Sequence, residues 1–181
     1  ASEISYAFDF AAGSRVPLKI TENDGFVLSA LDLHIIGKSD LLPTYSYNDT
    51  LSFIMPSDML SVNPTFSTIS SLSSINMLCR KKTLDIPASV SSFKIYDNGG
   101  YSKNYTSSCD ATLMLNAPEG YKIRLTGSVA TEPKSSGNGT VYDYLSIYDG
   151  NTINSTLLDK IYSTSSDSVV GIGTKTSTGR S

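Results

Sequence analysis

Apolar and polar residues alternate within short stretches of this chain, which is the pattern of half-buried β-strands. In residues 122–126, Ile123 and Leu125 fall on one face and polar side chains on the other. Leu145 and Ile147 share a face in the same way further along. Strands this short at this spacing predict an all-β protein and favour a β-sandwich. The strand-like stretches are residues 16–21, 26–36, 50–55, 60–66, 83–86, 92–96, 111–115, 122–127, 144–148 and 168–172.

One stretch, residues 66–78, does not fit this pattern. Its apolar residues recur every third position, which fits a helix face only in part, and five serines lie among them. We interpret it as a linker or a short element, and as the favoured place for a domain boundary. The turns elsewhere are chemically explicit: residues 97–100 read Asp-Asn-Gly-Gly, a combination that tolerates positive φ angles.

Composition and charge exclude several classes of protein. A chain of 181 residues suits one ordinary domain or two small ones, and its many tyrosines and threonines favour strands. The net charge is −3, and the longest basic run, Arg80–Lys82, is interpreted as a solvated turn, so we expect no nucleic-acid partner. No apolar run approaches the roughly 18 residues that span a membrane. We therefore expect no membrane span in this chain and no signal peptide within it.

The two cysteines, Cys79 and Cys109, leave two interpretations open. In an oxidising compartment they would form one disulfide. The alternative is a pair of buried thiols, which composition alone does not exclude.

The sequence offers little for catalysis. Its single histidine, His34, shares a strand face with Asp32, opposite Leu31 and Leu33. No nucleophile elbow, phosphate-binding loop, HExxH helix or Cys-x-x-Cys pair is present. We therefore predict a protein that is not an enzyme and interpret His34 as a polar-face residue, with the general base of a hydrolase as the alternative.

Tyrosines are the other candidates for a functional surface. They could form a stacking surface for sugars or peptides, or they could simply pack on strand faces, which is the favoured interpretation. The six candidates are Tyr45, Tyr47, Tyr101, Tyr142, Tyr144 and Tyr162.

Four elements of the second half occur in the order found in CUB domains. Residues 101–109 place tyrosines before a cysteine, residues 115–125 read LNAPEGYKIRL, residues 142–150 read YDYLSIYDG and residues 177–181 read STGRS. Residues 79–181 therefore resemble a CUB domain, and the YDYLSIYDG element is the most specific of the four. The resemblance implies a jelly-roll β-sandwich.

The same resemblance implies roles for five residues. It implies that Cys79 and Cys109 are joined in a disulfide. It also implies a calcium site with Tyr105, Glu132 and Asp143 as ligands. Calcium takes about six to eight oxygen ligands, and the family's third carboxylate belongs to a Ser-Asp turn that this sequence lacks, so the three residues form a weak site at best.

The first half resembles small bacterial surface repeats. Residues 24–31 read DGFVLSAL and residues 51–66 read LSFIMPSDMLSVNPTF. These segments are similar to the "GYxLxxLxV" strand and the "FTMPxxDVTVxxxF" ending of such repeats. The resemblance covers about residues 8–67, and it implies a stalk or spacer module of the kind found in surface proteins, often of Bacteroidetes.

These resemblances predict three parts: a β-repeat domain at residues 1–67, a linker at 68–78 and a CUB-like domain at 79–181. We expect an extracellular or cell-surface location and a protein or carbohydrate ligand. The predicted function is that of a non-catalytic binding or adhesion module of a bacterial surface protein. The alternative is a structural spacer in a larger secreted or surface-anchored protein, with an enzyme domain elsewhere.

Overall fold

The computed structural model describes residues 3–5, 10–47, 50–166 and 168–181. Within these residues the regular structure is β, apart from the short 3-10 turn Ile69–Ser71. The predicted all-β fold is confirmed, whereas the jelly-roll arrangement stays a prediction. The strands, numbered β1 to β17 in chain order, are Glu3–Ser5, Arg15–Pro17, Lys19–Thr21, Phe26–Ile35, Thr44–Tyr47, Thr50–Ile54, Leu60–Thr68, Ser74–Asn76, Lys81–Asp85, Lys94–Tyr96, Thr112–Asn116, Arg124–Leu125, Ser128–Val129, Leu145–Asp149, Thr156–Ile161, Val170–Gly171 and Lys175–Thr176.

The chain divides into two compact units, residues 1–113 and residues 114–181. This division falls at a different residue from the predicted domain limits at residues 67 and 79, which stay a prediction. Residues 68–78, interpreted as a linker, lie inside the first unit and contain β8. Leu72, Ile75 and Leu78 of this segment are buried, although the segment contains a short 3-10 turn and β8 rather than a helix.

Two antiparallel sheets supply most of the core of the first unit. β4 pairs antiparallel with β7, and β6 lies between β2 and β5 in a three-stranded sheet. Alternation along β4 buries Leu31 and Leu33 and leaves Asp32 and His34 on the other face, as the sequence predicts. The buried cluster comprises Val16, Leu18, Leu28, Leu31, Leu33, Leu51, Phe53, Leu78 and Cys79.

An ion-pair network in the first unit corrects the interpretation of the basic run as a solvated turn. The carboxylate of Glu22 accepts hydrogen bonds from Arg80, from Lys82 and from the backbone N–H of Leu28. Burial on its own would raise the pKa of Glu22. The hydrogen bonds and the charges of Lys82 and Arg80 outweigh burial and lower this pKa below its ordinary value. The two cations therefore pack over a half-buried acid rather than project into water.

The second unit has a smaller core. β14 and β15 form an antiparallel pair with an irregularity after Ile147, β12 pairs with β17, and β13 pairs with β16. Ile147, Ile161 and Ile172 are buried together, with Leu125 and Leu145 among the half-buried side chains against them. The alternation predicted for β14 is thus confirmed, whereas β15, whose TLLDKI sequence lacks clean alternation, escaped prediction.

No helix among the described residues is long and apolar enough to cross a membrane.

Candidate functional site

The candidate site is a loop of the first unit, residues 97–109, which we call the Tyr101 loop. It begins just after β10 and ends at Cys109, which forms a disulfide with Cys79. The pairing implied by the CUB resemblance is thereby confirmed. Cys79 is fully buried in the core cluster and Cys109 packs against that cluster, so the end of the loop is joined covalently to the core.

The buried side-chain amide of Asn98 links the two ends of the loop by hydrogen bonds. Asn98 Nδ2 donates to Thr106 Oγ1 at 2.7 Å, and the Thr106 backbone N–H donates back to Asn98 Oδ1 at 3.2 Å. The same amide nitrogen lies 3.5 Å from Cys79 Sγ, which also accepts from Thr44 Oγ1 at 3.1 Å. Because Asn98 and Thr106 are buried, these bonds satisfy polar groups that would otherwise be costly to remove from water.

Two glycines allow the loop to fold back on itself. A Cβ atom on Gly99 would lie 2.3 Å from the carbonyl oxygen of Asn104 and 2.5 Å from that of Lys103. Gly100 has a φ of +73°, a region that side chains disfavour. The carboxylate of Asp97 accepts from the Gly99 N–H at 2.8 Å, and burial raises the pKa of Asp97 despite this bond and one from Gly100.

Tyr101 stands at the exposed side of this loop. Its side chain is 86% exposed, the largest exposed fraction among the large hydrophobic side chains of the described residues. The ring of Tyr96 contacts it edge-on, with the centroids 6.0 Å apart and the planes at 70°. In such a T-shaped pair the edge of one ring meets the face of the other, and the 86% exposure shows that most of the Tyr101 side chain stays accessible beside Tyr96.

An ion pair anchors the loop to β4 on the other side of Tyr101. Lys103 Nζ donates to Asp32 Oδ2 at 3.1 Å, and the other oxygen of Asp32 lies 2.7 Å from His34 Nδ1. Burial on its own would raise the pKa of Asp32. The hydrogen bonds with His34 and Lys103 and the charges of both residues lower it below its ordinary value.

The residues predicted to bind calcium are placed in both units. Tyr105 lies in the Tyr101 loop, whereas Glu132 and Asp143 lie in the second unit. Across the described residues, no three His, Cys, Asp or Glu side chains are grouped as a metal site. Two carboxylates supply only part of the oxygen shell that calcium needs, and the predicted calcium site stays a prediction.

The candidate tyrosines are also distributed over both units. In the first, Arg15 lies 5.3 Å from the ring centroid of Tyr45, and the side chain of Tyr47 falls outside the described residues. In the second, Tyr142 and Tyr144 are about half exposed and Tyr162 is less so. The ammonium of Lys160 lies 3.6 Å from the Tyr144 ring centroid.

Comparisons with protein-family models, with curated proteins and with solved structures found no match to this chain. Its fold and site define an all-β protein with one disulfide and a rigidly anchored, exposed tyrosine loop.

Sequence reasoning located this loop but missed most of its supports. The Asp-Asn-Gly-Gly turn and the cysteine marked both ends, and Tyr101 was among six candidates. Nothing in the sequence pairs Lys103 with Asp32, which lies 71 residues away. The bond between Asn98 and Thr106 has a faint signal, since asparagine commonly bonds nearby backbone groups in turns.

Proposed function

We propose that this chain is a non-catalytic binding or adhesion module of an extracellular or cell-surface protein, and that the Tyr101 loop is its contact surface. The observation that carries the proposal is the 86% exposure of Tyr101 on a loop fixed by a disulfide, a buried amide and an ion pair. Binding residues are often found on loops that a rigid scaffold positions.

Rigidity favours binding because less conformational freedom is lost when the ligand arrives. Tyrosine is a frequent anchor at interfaces, since it offers a large apolar ring with few rotatable bonds and a polar tip. An exposed ring held in place at both sides of its loop combines these two properties.

Three further points support an exported, non-catalytic module. Disulfides persist mainly in oxidising compartments outside the cytosol, and Cys79–Cys109 is such a bond. The CUB and bacterial-repeat resemblances favour a surface protein with a protein or carbohydrate ligand, and the CUB resemblance adds calcium at Tyr105, Glu132 and Asp143. Asp32 bonds both His34 and Lys103, which gives this carboxylate a structural use.

The test is a binding screen of the whole chain against immobilised glycans, peptides and cell-surface proteins. Tyr101→Ala should lose the partner that the unchanged chain binds. Tyr121→Ala, which removes a 62% exposed tyrosine of the second unit, is the matched control and should retain it. Absence of any partner, or equal binding by both variants, would contradict the proposal and favour a structural spacer.

A further inference from the structure

We infer that the Tyr101 loop binds a neutral carbohydrate, stacked on the ring of Tyr101 and hydrogen-bonded by the polar groups around it. This inference rests on the proposed function, because it names the ligand class of the same surface. It rests on two observations: the exposed residues near Tyr101 in the loop are polar, and the one cation of the loop is already paired.

Apart from the Tyr96 ring that contacts it, Tyr101 has polar exposed neighbours along its own loop. The loop's other exposed residues are Asp97, Ser102, Asn104, Ser107 and Ser108, none of which is apolar. Protein partners draw most of their binding energy from clustered anchors that fill desolvated pockets. A sugar ring instead presents an apolar C–H face beside hydroxyl groups, which matches one aromatic ring fringed by hydroxyl and amide groups.

The charges of the site favour a neutral sugar over an acidic one. Lys103 is the only cationic residue of the loop, and the carboxylate of Asp32 already holds its ammonium at 3.1 Å. Asp97 adds a negative charge to the loop. Within the loop, a sulfated or carboxylated sugar would find the one cation already paired and the carboxylate of Asp97 exposed, which disfavours binding.

The supports of the loop suit a ligand that makes few contacts. A sugar on one ring buries little area, so binding is weak unless the protein pays little to order its side chains. Asn98 and Gly99 hold the backbone before Tyr101, and the Cys79–Cys109 disulfide holds the end of the loop, before any ligand arrives. Weak single contacts of this kind gain strength when several copies bind one multivalent surface.

The experiment uses saturation-transfer NMR on the full chain with maltotriose, cellotriose and diacetylchitobiose as neutral probes, and with sialyllactose and a heparin tetrasaccharide as acidic ones. At least one neutral probe should show saturation transfer, and neither acidic probe should bind more tightly. Tyr101→Ala should weaken that binding about tenfold or more, since the aromatic contact is lost. Tyr101→Phe should stay within about threefold, because the ring rather than the hydroxyl makes the stacking contact.

The remaining outcomes separate this inference from the proposed function. A Tyr101-dependent peptide, protein or acidic glycan, with no neutral sugar bound, would overturn the carbohydrate inference and leave the binding function standing. If Tyr101→Phe lost as much as Tyr101→Ala, the stacking geometry would be overturned. If nothing bound through Tyr101 at all, both proposals would fall. Tyr121→Ala is measured alongside and should bind like the unchanged chain.

Discussion

Each compact unit exposes tyrosine side chains, but the two units hold them by different means. In the first unit, Tyr101 projects from a loop that is held by a disulfide, a buried amide and an ion pair. Its ring is in T-shaped contact with the ring of Tyr96. In the second, Tyr144 immediately precedes strand β14, and the ammonium of Lys160 lies 3.6 Å from its ring centroid.

The two exposed rings differ in what already contacts them, so exposure alone does not make them equivalent. The attraction between a cation and a ring is already satisfied within the protein at Tyr144, so a ligand there must displace Lys160 or share the ring with it. At Tyr101 the loop is held by contacts of other residues, and the side chain itself is 86% exposed. We therefore expect substitutions that loosen the Tyr101 loop to reduce binding in the first unit. In the second unit, we expect removal of the Lys160 ammonium to change how accessible the Tyr144 ring is.

The largest effect is expected from removing the disulfide. Replacing Cys79 and Cys109 together with serine should destabilise the first unit by about 3–4 kcal/mol, because the bond closes a 30-residue separation in the unfolded chain. The second unit contains no cysteine and serves as the internal control. Denaturant titration followed by NMR resonances of each unit measures both. An unchanged denaturant midpoint for the first unit would contradict the claim that the disulfide stabilises the Tyr101 loop and its unit.

Gly99→Ala tests whether close backbone packing supports Tyr101. Its Cβ would lie within 2.5 Å of carbonyl oxygens in the backbone, which cannot swing aside as a flexible side chain can. We expect a loss of about 1–3 kcal/mol in the free energy of unfolding, together with a loss of any Tyr101-dependent binding. Gly137→Ala is the matched control, because a Cβ there meets no atom within 4 Å. Equal stability of the two variants would contradict this account.

Glu22→Gln addresses the ion pairs that anchor the first unit. At neutral pH the loss of a charged acceptor for Arg80 and Lys82 should cost about 1–2 kcal/mol. The folded pKa of Glu22 is lowered, so its contribution is complete above the ordinary glutamate pKa of about 4.3 and is lost as the pH falls through the lowered value.

The measurement is the free energy of unfolding from neutral to acidic pH, and the variant should show a flatter acid limb than the unchanged chain. Asp159→Asn is the control from the second unit, since Asp159 pairs with Lys175 at a more exposed position. A smaller effect is expected there, because exposed ion pairs contribute little. An acid limb identical to that of the unchanged chain would show that Glu22 does not act as described.

The sequence predicted strands well where one face is buried and the other is not. β4 and β14 alternate because each lies over a core, and both were found within one or two residues of their limits. β8 and β15 were missed, since their serines and paired leucines give no period of two. Turn chemistry located the Tyr101 loop, and the CUB resemblance supplied the disulfide.

What escaped prediction depends on contacts between distant parts of the chain. Glu22 meets Arg80 and Lys82 across separations of 58 and 60 residues, so the basic run carries no local sign that it is paired. The steric need for Gly99 arises from the carbonyl oxygens of the returning chain. Such features follow from three-dimensional packing rather than from any local pattern in the sequence.

Lys160→Ala gives the smallest expected effect and the sharpest form of the comparison. Removing the ammonium above Tyr144 should cost about 0.5–1 kcal/mol of stability, the usual size of a cation–π contact near the surface. The Tyr144 ring-proton chemical shifts should move, because the adjacent charge is gone. Lys122→Ala removes an exposed lysine elsewhere in the same unit and should change neither quantity. If Lys160→Ala left the ring shifts unchanged, the ring of Tyr144 would be as available as that of Tyr101, and the contrast between covered and uncovered tyrosines would fail.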